Sequence, residues 1–171
     1  MDEIAAILEP HIPGLRRYAW ALVRDREAAD DLVQDCLEHA LAAWHTRRRD
    51  GSPKAWLFTI LRNLHVSELR RRSRRGTRAN VEEADSVEDT FRAGDPERRL
   101  IFRDCLSALE KLPEEQKSIL LLVGIEDLSY ADMSKVLDIP IGTVMSRLSR
   151  ARERLRQAIE TGSAPALRRV K

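Results

Sequence analysis

Aromatic residues make up only 5% of this 171-residue chain, and glycine occurs just seven times. With few alternating β-branched runs, that composition disfavours sandwiches and barrels and favours an all-α protein. Cysteine is limited to Cys36 and Cys105. A disulfide framework is therefore not expected, and with no signal peptide and no apolar run of membrane-spanning length the chain reads as a soluble protein of the reducing cytoplasm. Also missing are a glycine-rich phosphate loop, a metal-ligand set and a nucleophile–base pair, so no enzyme, metal or cofactor is expected. Cys36 and His39 could supply two ligands from one helix, but no second local pair completes a site. Cys36 falls on an apolar stripe and reads as a buried thiol.

Charge is abundant, at 34% of residues, with a net balance of only +2. Its distribution is more telling than its sum. Lys plus Arg outnumber Asp plus Glu by 14 to 11 over residues 1–75, are outnumbered 2 to 7 over 76–97, and lead again by 14 to 10 over 98–171. The length suits two small helical domains. We expect them at 1–75 and 98–160, joined by a flexible acidic linker at 76–97 and followed by a basic tail at 161–171.

Ser129 to Arg154 reads as two short helices around a tight turn. Ser129 with Asp132 forms a capping-box pattern, and Met133, Val136 and Leu137 form the buried stripe of the first helix. Asp138-Ile139-Pro140 ends that helix, and the proline is suited to opening the next. In the second helix Val144, Leu148, Ala151 and Leu155 make one apolar stripe, while Gly142, Ser146, Ser149 and Arg150 lie opposite. This is a helix-turn-helix. Small hydrogen-bonding side chains near a helix N-terminus suit insertion in a major groove, so Ser146, Ser149 and Arg150 are expected to read bases. Thr143, Arg147 and Arg154 on one flank and Arg152 on the other are placed for phosphates.

In the N-terminal block, Asp25 to Trp44 predicts a helix with Leu32, Val33, Cys36, Leu37, Ala40, Leu41 and Trp44 on one face. The opposite face carries Asp30, Asp31, Gln34, Asp35 and Glu38 with no interleaved cation, a candidate docking surface for a basic partner. A helix upstream is marked by Ile12, Leu15, Tyr18, Ala19 and Leu22. Pro53 opens another, with Trp56, Leu57, Ile60, Leu61 and Leu64 inward and an end, Arg70-Arg-Arg-Ser-Arg-Arg75, that must be solvated or bind a polyanion. Asn63 and His65 on that helix can hydrogen-bond bases, although each taken alone reads as an ordinary surface residue. A further unit ends in Leu106, Leu109 and Leu112. Pro113-Glu-Glu-Gln116 then gives a proline-plus-acid first turn leading into Ile119, Leu120, Leu122 and Val123, with Glu114 and Glu115 read as helix-end stabilisers.

These strings, in this order, resemble a bacterial RNA polymerase sigma factor of the extracytoplasmic-function type over nearly the whole chain. Asp30-Asp-Leu-Val-Gln-Asp35 with Trp44 is similar to the family's core-binding segment. Ala55-Trp-Leu-Phe-Thr-Ile-Leu-Arg-Asn63 with Arg70-Arg-Arg72 is similar to its promoter-melting segment. Leu112-Pro-Glu-Glu-Gln116, Leu128-Ser-Tyr130 and Gly142-Thr-Val-Met-Ser-Arg-Leu-Ser-Arg-Ala-Arg152 are similar to its second domain. The resemblance implies a non-catalytic specificity subunit, monomeric when free, that binds core RNA polymerase at the clamp of its large catalytic subunit and at the flap region. Asp30, Asp31, Gln34, Asp35 and Glu38 would contact the clamp. Promoter DNA is the second implied partner. Arg47, Arg48, Arg49, Lys54, Asn63, Arg70, Arg71 and Arg72 would hold the melted minus-10 strand, with the segment from Thr46 to Lys54 capturing an extruded base. Thr143, Ser146, Arg147, Ser149, Arg150, Arg152 and Arg154 would bind the minus-35 duplex. An anti-sigma inhibitor is also implied, which if membrane-bound would hold the chain at the inner membrane without membrane insertion of its own.

Three positions depart from the family pattern: Ser67 stands where many relatives carry Asp, Met145 where a basic residue is frequent, and Ser134 where alanine is frequent. Two other readings share the C-terminal motif. A stand-alone helix-turn-helix regulator would carry an effector module where residues 1–75 show only helical periodicity. A sigma-like mimic that titrates an inhibitor has no physical need for the arginine-rich end or the polar recognition face.

Overall fold

The computed structural model describes residues 2–47, 51–75 and 96–161, with side chains from Glu3 onward and, in the helix that starts at Pro96, from Arg103 onward. Every regular element among them is helical: α1 (Asp2–Leu8), a 3-10 turn (Glu9–His11), α2 (Ile12–Val23), α3 (Arg26–Ala42), a second 3-10 turn (Trp44–Thr46), α4 (Pro53–Arg75), α5 (Pro96–Glu110), α6 (Glu114–Gly124), α7 (Tyr130–Leu137) and α8 (Ile141–Thr161). The acidic linker, apart from Pro96 and Glu97, and the basic tail beyond Thr161 lie outside the described residues.

Helix boundaries follow local chemistry. Asp25, in extended conformation, accepts a hydrogen bond from the Ala28 N–H at 2.7 Å and starts α3. Ser129 does the same for α7, accepting from the Asp132 N–H at 3.1 Å. The capping box is only half formed, because the Asp132 carboxylate receives the Ser129 hydroxyl at 3.0 Å and does not reach back to the backbone. Asp138, left-handed at φ 53°, closes α7. Pro113 and Pro140 sit one residue before their helices, not in the first turn as expected: their carbonyls accept the first ladder bonds, from Gln116 and Lys117 and from Thr143 and Val144.

In the N-terminal half, α2, α3 and α4 pack around Leu15, Tyr18, Val33, Cys36, Leu57, Phe58 and Leu61. Tyr18 meets Phe58 edge-on, with ring centroids 5.3 Å apart. Cys36 is buried, donates to the Leu57 carbonyl, and has its thiol pKa pushed up to about 12 by desolvation. In the C-terminal half, Val144, Leu148 and Ala151 of α8 are buried against α5, α6 and α7 together with Leu106, Ile119, Leu122, Met133 and Val136. Leu41, expected on the inner face of α3, is 46% exposed.

The two halves are not separate. Helix α2 packs on α6 and α4 on α7, and polar side chains line the seam. The Glu126 carboxylate, only 3% exposed, accepts from Arg17 at 2.9 Å and lies 3.6 Å from Lys54 Nζ, which also donates to the Glu126 carbonyl at 2.6 Å. Gly14 leaves room for that carboxylate, since a Cβ there would lie 2.3 Å from Glu126 Oε2. Lys117 Nζ caps α2 by donating to the Leu22 carbonyl at 2.6 Å, and the Tyr18 and Ser118 hydroxyls share a 2.6 Å bond. His65 Nε2 lies 2.8 Å from Glu114, and Arg24 pairs with Glu110 at 2.9 Å.

This seam generates a first prediction. Glu126→Ala leaves Arg17 and Lys54 facing each other without a counter-charge, and closure should weaken by about 1–3 kcal/mol, less than for a fully buried pair because both cations keep some solvent. Gly14→Ala should also open the seam by displacing the carboxylate, while favouring α2 itself by about 0.5–1 kcal/mol. Both variants should show an increased radius of gyration by small-angle X-ray scattering with unchanged far-UV circular dichroism. A radius equal to that of the natural chain would show that Glu126 does not hold the halves together.

Candidate nucleic-acid and polymerase interface

Side-chain packing orients α3 so that Val33, Cys36 and Ala40 enter the core and the opposite face points to solvent. Asp30, Asp31, Gln34, Asp35 and Glu38 are all exposed and lie together on that face. Gln34 bonds Glu38 at 3.0 Å, and Asp30 lies 3.7 Å from Arg16 of α2. Asp31 makes no side-chain contact with a cation among the described residues. The result is a concentrated negative surface that the seam between the halves does not cover.

Helix α4 distributes its polar residues in two ways. Asn63, Arg70, Arg71 and Arg72 are exposed, with Arg71 and Arg72 both held by Glu68, at 2.6 and 2.8 Å. Those two hydrogen bonds, the Arg72 one foremost, keep the Glu68 carboxyl below the usual range. Lys54, expected at DNA, is turned instead toward Glu126. Arg47 lies with its guanidinium 4.7 Å from the Trp44 ring centroid and 5.9 Å from that of Trp56, and donates to the Gly51 carbonyl, so it builds the segment leading to α4. Arg48 and Arg49 lie outside the described residues. His65, read from sequence as a surface residue, is buried on Glu114 and unavailable to a base.

Between α4 and α6 runs a groove of about 440 Å³ lined by Asn63, Ser67 and Arg70 on one side and Glu114, Glu115 and Ser118 on the other. Its two walls carry opposite charge. Desolvation alone would raise the Glu114 pKa, but the hydrogen bond from His65 and the charge of Lys117 outweigh it and hold the carboxyl below the usual range. The Lys117 ammonium is itself pushed down, chiefly by burial.

On α8, Ser146, Ser149, Arg150, Arg152 and Arg154 are exposed and Thr143 and Arg147 half-buried. Arg147 lies 3.3 Å from Glu115 and Arg154 reaches Gln116 at 3.4 Å, so these two brace the recognition helix on α6. Arg150 and Arg152 have no such partner among the described residues. The Ser146 hydroxyl donates to the Thr143 carbonyl at 3.1 Å, leaving its lone pairs outward. Sequence reasoning placed Tyr18 on an apolar stripe but missed its hydroxyl contact, and missed Lys117 and Glu126 altogether, because these contacts join residues around a hundred positions apart; the glycine at position 14 inside a helix was the one local sign.

Residues 8–62 match the family model "Sigma2 domain of PhyR" and residues 103–155 match "Sigma-70, region 4". The chain is 40% identical to the ECF RNA polymerase sigma factor EcfG of Rhodopseudomonas palustris over 84% of its own length and 78% of that protein's. It is 34% identical to the RNA polymerase sigma-H factor of Pseudomonas aeruginosa, over 81% of this chain and 76% of that one. Among solved structures, it superposes on the sigma factor RpoE of Bartonella quintana, crystallised with the anti-sigma factor NepR, with TM-score 0.73 and 30% identity, covering 94% of this chain and 98% of that one. The fold is also that of CnrH in complex with the cytosolic domain of CnrY, at TM-score 0.70 and 22% identity over 94% of this chain and 89% of that one.

The groove yields a pH prediction. Because the folded pKa of Glu114 is depressed, its contribution to closure is present above the unfolded carboxyl value of about 4.3 and is lost as pH falls through the folded value. Glu114→Gln should cost about 1–2 kcal/mol at neutral pH, in line with a hydrogen bond to a charged group. The stability gap between natural chain and variant, measured by urea unfolding, should shrink on acidification below about pH 4. A gap that stays constant from neutral pH to pH 3 would show that the Glu114 charge is not used.

Proposed function

Because the chain belongs to the extracytoplasmic-function family of RNA polymerase sigma factors, we propose that it is a promoter-specificity subunit that opens from the closed arrangement described above when it joins core polymerase. The observation that carries this reading is one chain bearing three separate surfaces: an exposed acidic face on α3, an arginine-ended α4, and a polar recognition face on α8. Residues 1–75 form the unit that binds polymerase and the minus-10 strand, and residues 98–160 the unit that binds the minus-35 duplex. Residues 76–97 connect them, and 161–171 form a tail without an assigned role. The chain acts in the cytoplasm, has no catalysis of its own and works as a monomer when free.

Asp30, Asp31, Gln34, Asp35 and Glu38 dock the basic clamp of the large polymerase subunit, a charge complementarity that speeds encounter and fixes orientation. Asn63 and Arg70 to Arg72, with Arg47 to Arg49 and Lys54, hold the unpaired strand on a cationic platform. On α8, Ser146, Ser149 and Arg150 contact base edges, while Thr143, Arg147, Arg152 and Arg154 contact phosphates.

Geometry requires the opening. Minus-10 and minus-35 elements lie roughly 25 base pairs apart, about 85 Å of duplex. A compact body of this size has a radius of gyration of about 15 Å and a diameter near 40 Å, and cannot touch both. The twenty residues from 76 to 95 add a contour of about 66 Å, enough to let the halves separate. Opening also removes Glu114 and Glu115 from the groove beside Asn63 and Arg70, and frees Lys54 from Glu126.

Control by an anti-sigma factor follows from the same likeness, since the RpoE structure is a complex with NepR. The "Sigma2 domain of PhyR" match favours one rival, a sigma-like mimic that binds only the inhibitor. The exposed arginine end of α4 and the recognition face of α8 argue against it, as a mimic uses neither.

Purified chain added to core RNA polymerase should permit initiation at a promoter that neither component uses alone. Asp31→Ala should weaken polymerase binding in a pull-down equally for every promoter. Arg150→Ala should lower transcript yield about 5-fold or more, in line with 1–3 kcal/mol per bidentate base contact, but only on promoters whose upstream element is intact. Failure of the chain to bind polymerase at all would leave the mimic reading standing.

A further inference from the structure

Large apolar side chains on the recognition helix are expected to be buried, and Val144 and Leu148 are, at 0% and 1% exposure. Ile141 and Met145 are not: they stand one turn apart at the N-terminal end of α8 with 45% and 53% exposure. The core under α8 is already filled, so neither is a spare core residue. Tyr130 of α7, 37% exposed, lies beside Met145, and the two border a shallow recess shared with Ser149 and Arg152.

What covers such a strip is constrained by its surroundings. Arg150, Arg152 and Arg154 lie on the exposed surface of the same helix, and the one carboxylate lining the recess, Glu153, is paired with Arg156, a balance that favours a polyanionic occupant. Phosphates offer no apolar group and deoxyribose only scattered C–H groups, and an unpaired strand calls for successive aromatic platforms where this strip has a single tyrosine. The major groove of duplex DNA does offer one, the thymine C5-methyl, and it is the N-terminal part of a recognition helix that reaches base edges. Ser146 adds a second constraint. Its hydroxyl donates to the Thr143 carbonyl, and in that rotamer it offers DNA an acceptor, suited to adenine N6 or cytosine N4. A methyl beside an amino donor is the major-groove pattern of an A·T pair.

We propose that Ile141 and Met145 read thymine methyl groups in the upstream promoter element, with Ser146 accepting from the adenine amino group, so that α8 selects A·T pairs at the positions facing its first two turns. The proposal deepens the sigma-factor reading and rests on it. It gives the exposed strip on the DNA-facing side of α8 a ligand: the methyl contact takes the place of a charge interaction.

The test uses holoenzyme assembled from the full chain and core polymerase. Duplexes are selected from a pool randomised over the upstream element, and each thymine in the enriched sequence is then replaced singly by deoxyuridine, which removes only the methyl. For the natural chain, one or two replacements should weaken binding about three- to five-fold, the effect of one buried methyl. Met145→Ala should bind more weakly overall and lose sensitivity at one of those thymines, whereas Met145→Leu should keep it. The idea is overturned if enriched duplexes lack thymine at those positions, if deoxyuridine has no effect anywhere, or if Met145→Ala retains the full methyl sensitivity. A strip that serves a protein partner gives the second of these results. Failure to enrich any duplex overturns the sigma-factor reading itself, an outcome distinguishable from enriched duplexes without methyl sensitivity.

Discussion

One buried carboxylate sets the arrangement of the whole molecule. Glu126, in the turn that follows α6, is taken almost completely out of water by the other half of the chain, and its charge is met by Arg17 and Lys54 from two different helices of that half. Desolvating such a group is costly unless its partners are in place, so the pairing specifies one docking geometry and penalises others. Gly14 is part of the same constraint, because any side chain there would occupy the carboxylate's position. The remaining seam contacts, from Lys117 to the end of α2 and from His65 to Glu114, are made in the same docking geometry.

A seam of this composition holds without being permanent. Separating two large apolar faces exposes hydrocarbon to water with no compensation, whereas separating Arg17, Lys54 and Glu126 returns three charges to solvent that hydrates them well. The charged part of the seam therefore favours separation more than its apolar part does. Apolar contacts also cross the seam, since Leu15, Leu57 and Phe58 of one half and Met133, Val144 and Leu148 of the other belong to one continuous buried cluster. Opening therefore also exposes hydrocarbon, a cost that a bound partner must offset.

Most of the fold was legible in the sequence because periodicity and caps are local. The stripes of α3, α4, α7 and α8, the start of α3 and the turn at Asp138 were all readable from spacing and residue type. Leu41 was misread because it lies at the edge of the α3 stripe, where a few degrees of rotation decide burial. The seam was not legible, since Arg17 and Glu126 are 109 residues apart and no spacing rule joins them. Lys54 shows the cost of that blindness. Its charge placed it with the DNA-binding arginines, but its position at the first turn of α4 puts it over Glu126. His65 looked like an ordinary surface residue and Glu114 like a helix-end stabiliser, and only their pairing across the seam shows His65 buried and the Glu114 carboxyl held below its usual range.

The placement of the surfaces imposes an order on their use. In the closed chain the acidic face of α3 is open to a partner, while the groove beside Asn63 is walled by Glu114 and Glu115, which would repel a phosphate backbone. Under the proposed function, polymerase can therefore dock on the closed chain, whereas the unpaired strand reaches α4 only after opening. If docking favours the open form, each ligand raises the affinity for the other by the same factor, because both draw on a single closed-to-open equilibrium. The free chain then binds promoter DNA weakly for a reason that lies outside the recognition helix: α8 is exposed and intact, but it acts alone until Glu126 is released and α4 can add its own contacts.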